Sequence, residues 1–393
     1  MRLRLVLPAA TAALALALTG CAGNEQPAGD TSVDQSQTEP GDDAPPAEPD
    51  PADAAPDPAS EAPAGISGTI NGGGATSQSA AQEAWRAGFA AANPSVTVNY
   101  DPTGSGDGRK AFQEGGLSFA GSDGAFSVED IEAGGFASCA EGSGLVEIPV
   151  YISPIAVAFN LPGIDSLNLD AATIANIFTG QIVKWNDSDI VGQNEGVELP
   201  DLAITAVHRS DGSGTTANFT DYLDQTSGGI WADGKVEDWP ESLEGEAAEG
   251  TSGVAETLGA TEGAIGYLDA SRAGDLGTAA VKVGENYVAY SPAAATAAAG
   301  ASTFQDGRAA SDVVIDINRT IDAGEVYPLI LISYLIGCET YADAGQGALV
   351  KAFFEYATSA EGQTAAAENA GSAPITGDAN LEPKVAAAVA AIG

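Results

Sequence analysis

Four times in this chain an apolar, β-type run ends in a turn of glycine and hydroxyl residues, and a helical pattern starts directly after it. The turns are residues 72–78, 103–108, 121–127 and 208–215. The runs that lead in are 66–70, 96–100, 117–120 and 202–207. One Gly/Ser turn after a strand is usually only a turn. Four of them, each ending in hydroxyls or free N–H groups at a helix start, are much harder to dismiss. A helix start presents unpaired N–H donors and the positive end of its dipole, which suits an anion. Strands alternating with helices argue for an α/β fold with mostly parallel sheets. In such a sheet the loops gather at the carboxyl edge, where ligands bind.

The richest turn is His208-Arg209-Ser210-Asp211-Gly212-Ser213-Gly214-Thr215. Arg209 can offer a planar, bidentate pair of donors to an oxyanion. Behind it, Phe219, Tyr222 and Leu223 fall at helical spacing. Net charge limits what such a site can take. The chain has 393 residues with 14 Lys+Arg against 55 Asp+Glu, a formal charge of -41. A field of that sign repels nucleic acid and anionic membrane. It repels small anions too, so any anion site must work by local hydrogen bonding rather than by steering.

The first 20 residues read as a secretory signal. Arg2 and Arg4 form the charged region, and residues 5–18 an apolar stretch too short for a mature anchor. The stretch ends Leu18-Thr19-Gly20-Cys21 and resembles a bacterial lipobox, which implies cleavage before Cys21 and lipidation of its thiol. Acylation would hold the protein at a membrane face without a spanning helix. Residues 22–64 carry 11 acids and 9 prolines, with no Lys, Arg or aromatic residue. Such a segment cannot bury enough apolar surface to fold and reads as an extended tether. Cys139 and Cys338 remain. With no C-x-x-C and only one histidine, a zinc site is not expected. An even pair in an oxidising exterior most often forms a disulfide; the alternative is two buried thiols.

Within the body, a helix is expected at 78–92, with Ala81, Trp85, Phe89 and Ala92 on one face. A short helix follows at 110–113, and a strand at 155–159. Asp170 is a candidate cap for a helix carrying Ile174, Ile177 and Phe178 and stopped at Gly180. Residues 327–336 form a near-continuous apolar run, as in a strand covered on both faces. The Ala-rich stretch 293–301 reads as a helix.

Taken in order, these motifs resemble the substrate-binding protein of the high-affinity phosphate ABC transporter. Four motifs carry the likeness: 72–76, 104–108, Ser122-Asp123 with Ser127, and 209–215. Supporting matches are Phe178-Thr179-Gly180-Gln181-Ile182 through Lys184-Trp185-Asn186-Asp187, and Gly263-Ala264-Ile265-Gly266-Tyr267. The family often has an aromatic and a proline where this chain has Ser77 and Gln78, and Asp107 puts an acid into the second glycine loop.

The resemblance implies a type II periplasmic-binding-protein-like fold, α/β, with two lobes and two hinge crossings near Val150 and Val326. One lobe would be 65–149 plus 327–393, the other 150–326. It implies phosphate contacts from the Thr76 hydroxyl, the Ser77 N–H, Ser105, Asp123, Arg209, Ser213, Gly214 and Thr215, with Asp211 fixing Arg209. Asp123 can only accept a hydrogen bond, so it demands a proton on the ligand. Phosphate carries one near neutral pH and sulfate does not; arsenate should pass as a near-isostere. The partners implied are inorganic phosphate and the ABC permease and ATPase subunits, with the protein a lipid-anchored monomer on the outer face of the cytoplasmic membrane. No cofactor or metal is implied.

Other readings compete. A Ser-His-Asp hydrolase would draw on His208 with Ser210, Ser213, Asp211 and Asp123. Gly-x-Ser-x-Gly is missing around Ser213, and His208 should point to the opposite strand face from Arg209. A phosphate sensor without a transporter, or a receptor for another oxyanion such as sulfate or molybdate, would use the same fold.

Overall fold

The structure, a computed structural model, describes residues 65–393. The signal, Cys21 and the tether lie outside the described residues. The chain opens with β1 (Gly68–Gly74), α1 (Ser79–Ala92), β2 (Val96–Asp101), α2 (Ser105–Gln113), β3 (Phe119–Ser122), α3 (Val128–Ala133) and the long β4 (Leu145–Phe159). Next come β5 (Ser166–Leu169), α4 (Ala171–Phe178), α5 (Ser188–Val191), β6 (Thr205–Arg209), α6 (Gly214–Thr226), β7 (Glu246–Ala248), α7 (Gly250–Ala260) and β8 (Ala264–Asp269). It closes with β9 (Gly277–Val283), β10 (Asn286–Val288), α8 (Pro292–Gly300), β11 (Thr303–Phe304), β12 (Ile315–Asp316), β13 (Ile330–Cys338), α9 (Ala344–Thr358), α10 (Ala360–Ala370) and α11 (Glu382–Ala390).

The main sheet runs β2-β1-β3-β13-β4-β8-β6-β7. It is parallel at its two ends, β2-β1-β3 and β8-β6-β7, and antiparallel through β13 and β4. The expectation of mostly parallel sheets therefore fails in the middle. Alternation along the chain implies a parallel crossover only between strands that are consecutive in sequence. β13 arrives late in the chain and inserts between β3 and β4, where its direction answers to both neighbours. All fifteen residues of β4 and all nine of β13 are buried, as the apolar runs required.

β4 belongs to both ends of the sheet. Leu145 to Pro154 pair with β13, and Ile155 to Phe159 pair with β8. The ladder shifts between Ser333 and Tyr334: Tyr151 lies opposite Ser333 and Pro149 opposite Tyr334, so Val150 is the extra residue. Pro149 has no N–H to give, which makes this the natural place for a bulge.

Helices cover both faces. α1 buries Ala81, Gln82, Trp85 and Phe89, with Ala92 left exposed. Trp85 donates from its indole to the Gly362 carbonyl at 2.9 Å, and Phe89 meets Phe353 edge-on at 5.5 Å. α2 starts at Ser105, well ahead of the expected 110. Gly106 and Gly108 hide it from propensity, yet Gly108 has a packing reason: a Cβ there would collide with Gly74 of β1. The Asp170 side chain accepts from Thr173 N at 2.8 Å, capping α4 as expected.

Cys139 and Cys338 form a disulfide with Cα atoms 5.3 Å apart, across a sequence separation of 199. It ties the segment after α3 to the end of β13. By chain entropy a loop of that length is worth roughly 5 kcal/mol against the unfolded state. Cys338→Ser should lower the thermal midpoint by several degrees, and dithiothreitol should reproduce the shift in the parent but not in the variant.

Asp269, at the end of β8, is fully buried; it accepts from Tyr151 Oη at 2.9 Å and from Ser271 N at 3.0 Å. Burial is the main cause that pushes its pKa from 3.8 up to about 6. Between those values the folded protein holds a proton that the unfolded chain has released. Folding stability should thus fall as pH rises from about 4 to 6, by roughly 3 kcal/mol from this one group. Chemical denaturation across that range should show the slope, and Asp269→Asn should flatten it.

Candidate functional site

The four turns converge. β1 and β3 are neighbours at one end of the sheet and β6 lies toward the other, and the turns that lead from β1, β2 and β6 into α1, α2 and α6, with the turn after β3, are hydrogen-bonded to one another. At its centre is Asp123, just past β3 and only 4% exposed. Its Oδ1 accepts from Ser77 Oγ at 2.5 Å and from Ser333 Oγ at 2.5 Å. Its Oδ2 accepts from Thr215 Oγ1 at 3.0 Å. Its N–H donates to Ser105 Oγ at 3.1 Å, and its carbonyl accepts from Asn218 Nδ2 at 2.8 Å. Burial raises the pKa of Asp123; the three hydroxyl bonds and the positive Arg209 act in the other direction.

Arg209 is the last residue of β6 and 2% exposed. Its Nε donates to Asp211 Oδ1 at 2.7 Å, and its Nη2 to Asp211 Oδ2. Asp211 Oδ1 also accepts from Gly250 N at 3.0 Å. Burial works against the charge of Asp211, but Arg209 and the Gly250 N–H outweigh it and hold its pKa below the usual carboxylate value. Arg209 Nη1 is buried with no hydrogen-bond partner among the described residues. Asp211 thus fixes the guanidinium and leaves one buried donor uncommitted.

Ser213 caps α6, its Oγ accepting from Thr216 N at 3.1 Å. Gly214 opens that helix directly against Asp123 and Ser105: an added Cβ would sit 2.6 Å from Asp123 Cβ and 2.6 Å from Ser105 Oγ. Only glycine permits this approach. Further bonds join the loops at the β1–β3 end of the sheet to those at the β6–β7 end. Gly106 N donates to the Gly212 carbonyl at 3.1 Å, Thr76 Oγ1 meets Thr251 Oγ1 at 2.9 Å, and Arg109 forks onto Glu237 at 2.7 and 2.8 Å. All eight expected ligand residues and Asp211 therefore lie at the same junction.

Some sequence readings change role. Ser77, expected to contribute its N–H, has a further role for its hydroxyl, which donates to Asp123. Ser127 caps α3 by accepting from Asp130 N at 3.0 Å and so serves structure. Asp107 is exposed in the first turn of α2. The His208 ring stacks on Trp239 at 4.9 Å and its Nδ1 lies 3.0 Å from the Arg209 carbonyl, which makes it a packing residue.

Sequence reasoning missed Ser333, Gln78, Thr251, Asn218 and Arg319. Ser333 is a hydroxyl inside an apolar run, a signal that could have been read. Thr251 belongs to a fifth strand–turn–helix unit, hidden because β7 is only Glu-Ala-Ala. Asn218 and Arg319 carry no local signal. Arg319 Nη2 donates to Asn218 Oδ1 at 2.6 Å and its Nη1 to the carbonyl of Ile330 at 2.7 Å, tying α6 to β13.

A buried acceptor and a buried donor at the junction of an α/β sheet, ringed by hydroxyls and helix N-termini, define a binding protein for a small oxyanion. A family model described as a PBP superfamily domain matches residues 59–361. "Phosphate-binding protein PstS 3" of Mycobacterium leprae is 36% identical over 78% of this chain and 83% of that protein. "Phosphate-binding protein PstS" of Xylella fastidiosa is 30% identical over 73% of this chain and 76% of that protein. Among solved structures, a human phosphate binding apolipoprotein superposes with a TM-score of 0.63 at 25% identity, covering 81% of this chain and 93% of that one. The chain belongs to the PBP superfamily, and within it to the PstS phosphate-binding proteins.

The Arg209–Asp211 pair gives a direct check on the site. Replacing Asp211 by Asn leaves a buried guanidinium without its counter-charge, which typically costs about 3–5 kcal/mol. Urea denaturation of Asp211→Asn at neutral pH should show a loss of that size. The deficit should shrink on acidification below the usual carboxylate range, as the parent protonates Asp211 and loses the same partner.

Proposed function

We propose that this protein binds inorganic phosphate outside the cytoplasm and delivers it to an ABC importer. The observation that carries this reading is the placing of a buried acceptor, Asp123, within the electrostatic reach of buried Arg209, whose Nη1 donor has no protein partner among the described residues. Asp123 has three protein donors on a carboxylate that can take about four, so Oδ2 can still accept one proton from a ligand. A monoprotonated oxyanion supplies that proton. The hydroxyls of Thr76 and Ser105, the N–H of Ser77 and the α6 N-terminus at Ser213, Gly214 and Thr215 serve its remaining oxygens, the Thr215 hydroxyl proton being taken by Asp123.

In this reading lobe 1 is 65–149 plus 327–393 and lobe 2 is 150–326. The crossings near Val150 and Val326 act as the hinges; the pairing of β4 passes from β13 to β8 at Pro154 and Ile155, a few residues beyond the first. Ligand contacts come from both lobes, so binding favours closure, and the closed form is what permease and ATPase subunits respond to. The Cys21 lipid and the acidic tether hold a monomer on the outer face of the membrane. The role is transport rather than catalysis: His208, the one histidine, is engaged with Trp239 and a backbone carbonyl.

Calorimetric titration into the ligand-stripped protein tests the reading. Phosphate should bind, arsenate should compete, and sulfate should bind on the order of 10³-fold more weakly or worse, because it would leave Asp123 facing an unprotonated oxygen. Asp123→Asn should weaken phosphate and raise sulfate. Equal affinity for phosphate and sulfate would overturn it.

A further inference from the structure

Behind Asp123 lies a chain of hydrogen bonds whose direction is fixed by its far end. The Tyr334 carbonyl can only accept, and Gln78 Nε2 donates to it at 2.9 Å. That settles which way the Gln78 amide faces. The same Nε2 donates to Ser333 Oγ at 2.7 Å, while Gln78 Oε1 accepts from Gln82 Nε2 at 2.8 Å. Ser333 therefore accepts from Gln78, and its single proton goes to Asp123 Oδ1, 2.5 Å away. Gln78 and Ser333 are fully buried. The bulge in the β4–β13 ladder falls at Ser333 and Tyr334, the two residues Gln78 grips.

We propose that Gln78 and Ser333 are specificity-determining positioning residues: with Ser77 they commit Asp123 Oδ1 to protein donors, so that Asp123 meets the ligand through Oδ2 and only as an acceptor. Ser77 adds the second donor to Oδ1 at 2.5 Å, at a position where the resemblance leads one to expect an aromatic residue. The inference rests on the phosphate reading and deepens it. An acceptor-only carboxylate rejects a ligand without a proton. The same group protonated would donate, and would then welcome sulfate. Burial drives Asp123 toward protonation, and the hydrogen bond from the Ser333 hydroxyl is the strongest interaction opposing it. The other charged or titratable groups around Asp123 are Arg209, paired with Asp211, on the β6 side and Tyr100 on β2, whose hydroxyl donates to the Ala75 carbonyl. Arg109 and Glu237 lie beyond Ser122 and Gly124.

The test is calorimetric titration of inorganic phosphate and of sulfate from pH 5 to 8.5 into the parent, Ser333→Ala and Ser77→Ala. In the parent, phosphate affinity should fall on the acid side as Asp123 takes up a proton. In Ser333→Ala the onset should move up by about one pH unit, and the phosphate-to-sulfate ratio near neutral pH should drop by about tenfold or more. Ser77→Ala should shift the same way, and it keeps the test open if Ser333→Ala does not fold. Ser333→Cys, a weaker donor of similar shape, should fall between. A merely structural role would change affinity evenly across pH and leave the ratio alone. Parent-like pH onset and ratio in both alanine variants would overturn the relay while leaving phosphate binding intact. A parent that binds no phosphate at any pH would overturn both.

Discussion

The arrangement turns on one buried carboxylate. An ionised Asp at 4% exposure is costly unless its lone pairs are filled. Filling them decides much of the surrounding structure. Ser77 must come from the turn after β1, Ser333 from the middle of β13, and Thr215 from the first turn of α6. Those three elements lie far apart in sequence. Asp123 therefore draws together the β1 end, the central strand and the α6 N-terminus, and Gly214 is the residue that lets α6 come close enough. Asn218 closes the knot by donating to both the Asp123 and Gly214 carbonyls, at 2.8 and 2.9 Å.

Arg209 is the counterpart on the other side of the junction. Its charge is balanced by Asp211, and Asp211 is held in turn by the N–H at the start of α7. A neutralised guanidinium suits an acidic protein. With a formal charge of -41, long-range attraction for anions is absent. Selection must then come from short, directed bonds made after the ligand arrives. In the proposed site, a set of hydroxyl and N–H donors with one fixed acceptor would do that without asking the overall field to help.

Much of this was legible in the sequence because turn chemistry is local. Glycine, serine and threonine at strand-to-helix junctions follow from the needs of helix N-termini, and all four such turns meet in the structure. The disulfide pairing was open to sequence and is closed by the fold. Long-range features were not legible. The antiparallel middle of the sheet depends on where β13 inserts, which no window of residues encodes. Arg319 reads as an ordinary surface cation, yet it is 1% exposed and bridges α6 to the entry of β13. The start of α2 was hidden because its glycines answer to a close backbone approach rather than to helix propensity.

Ser333 shows why a polar residue inside an apolar strand merits separate attention. A strand buried on both faces has no water to satisfy a hydroxyl, so the group must find protein partners or go unpaired. Ser333 finds a donor in Gln78 and an acceptor in Asp123. Each of these is itself buried, and each depends on Ser333 for one of its own bonds. The pattern is then self-consistent only when all of them are present, which is how a buried polar network specifies one arrangement rather than merely stabilising it. The same reasoning places the bulge. Val150 is the extra residue opposite Ser333 and Tyr334, and the ladder breaks at the pair whose side chain and carbonyl are both taken by Gln78. Strand register and carboxylate geometry are in this way set by one short stretch of β13.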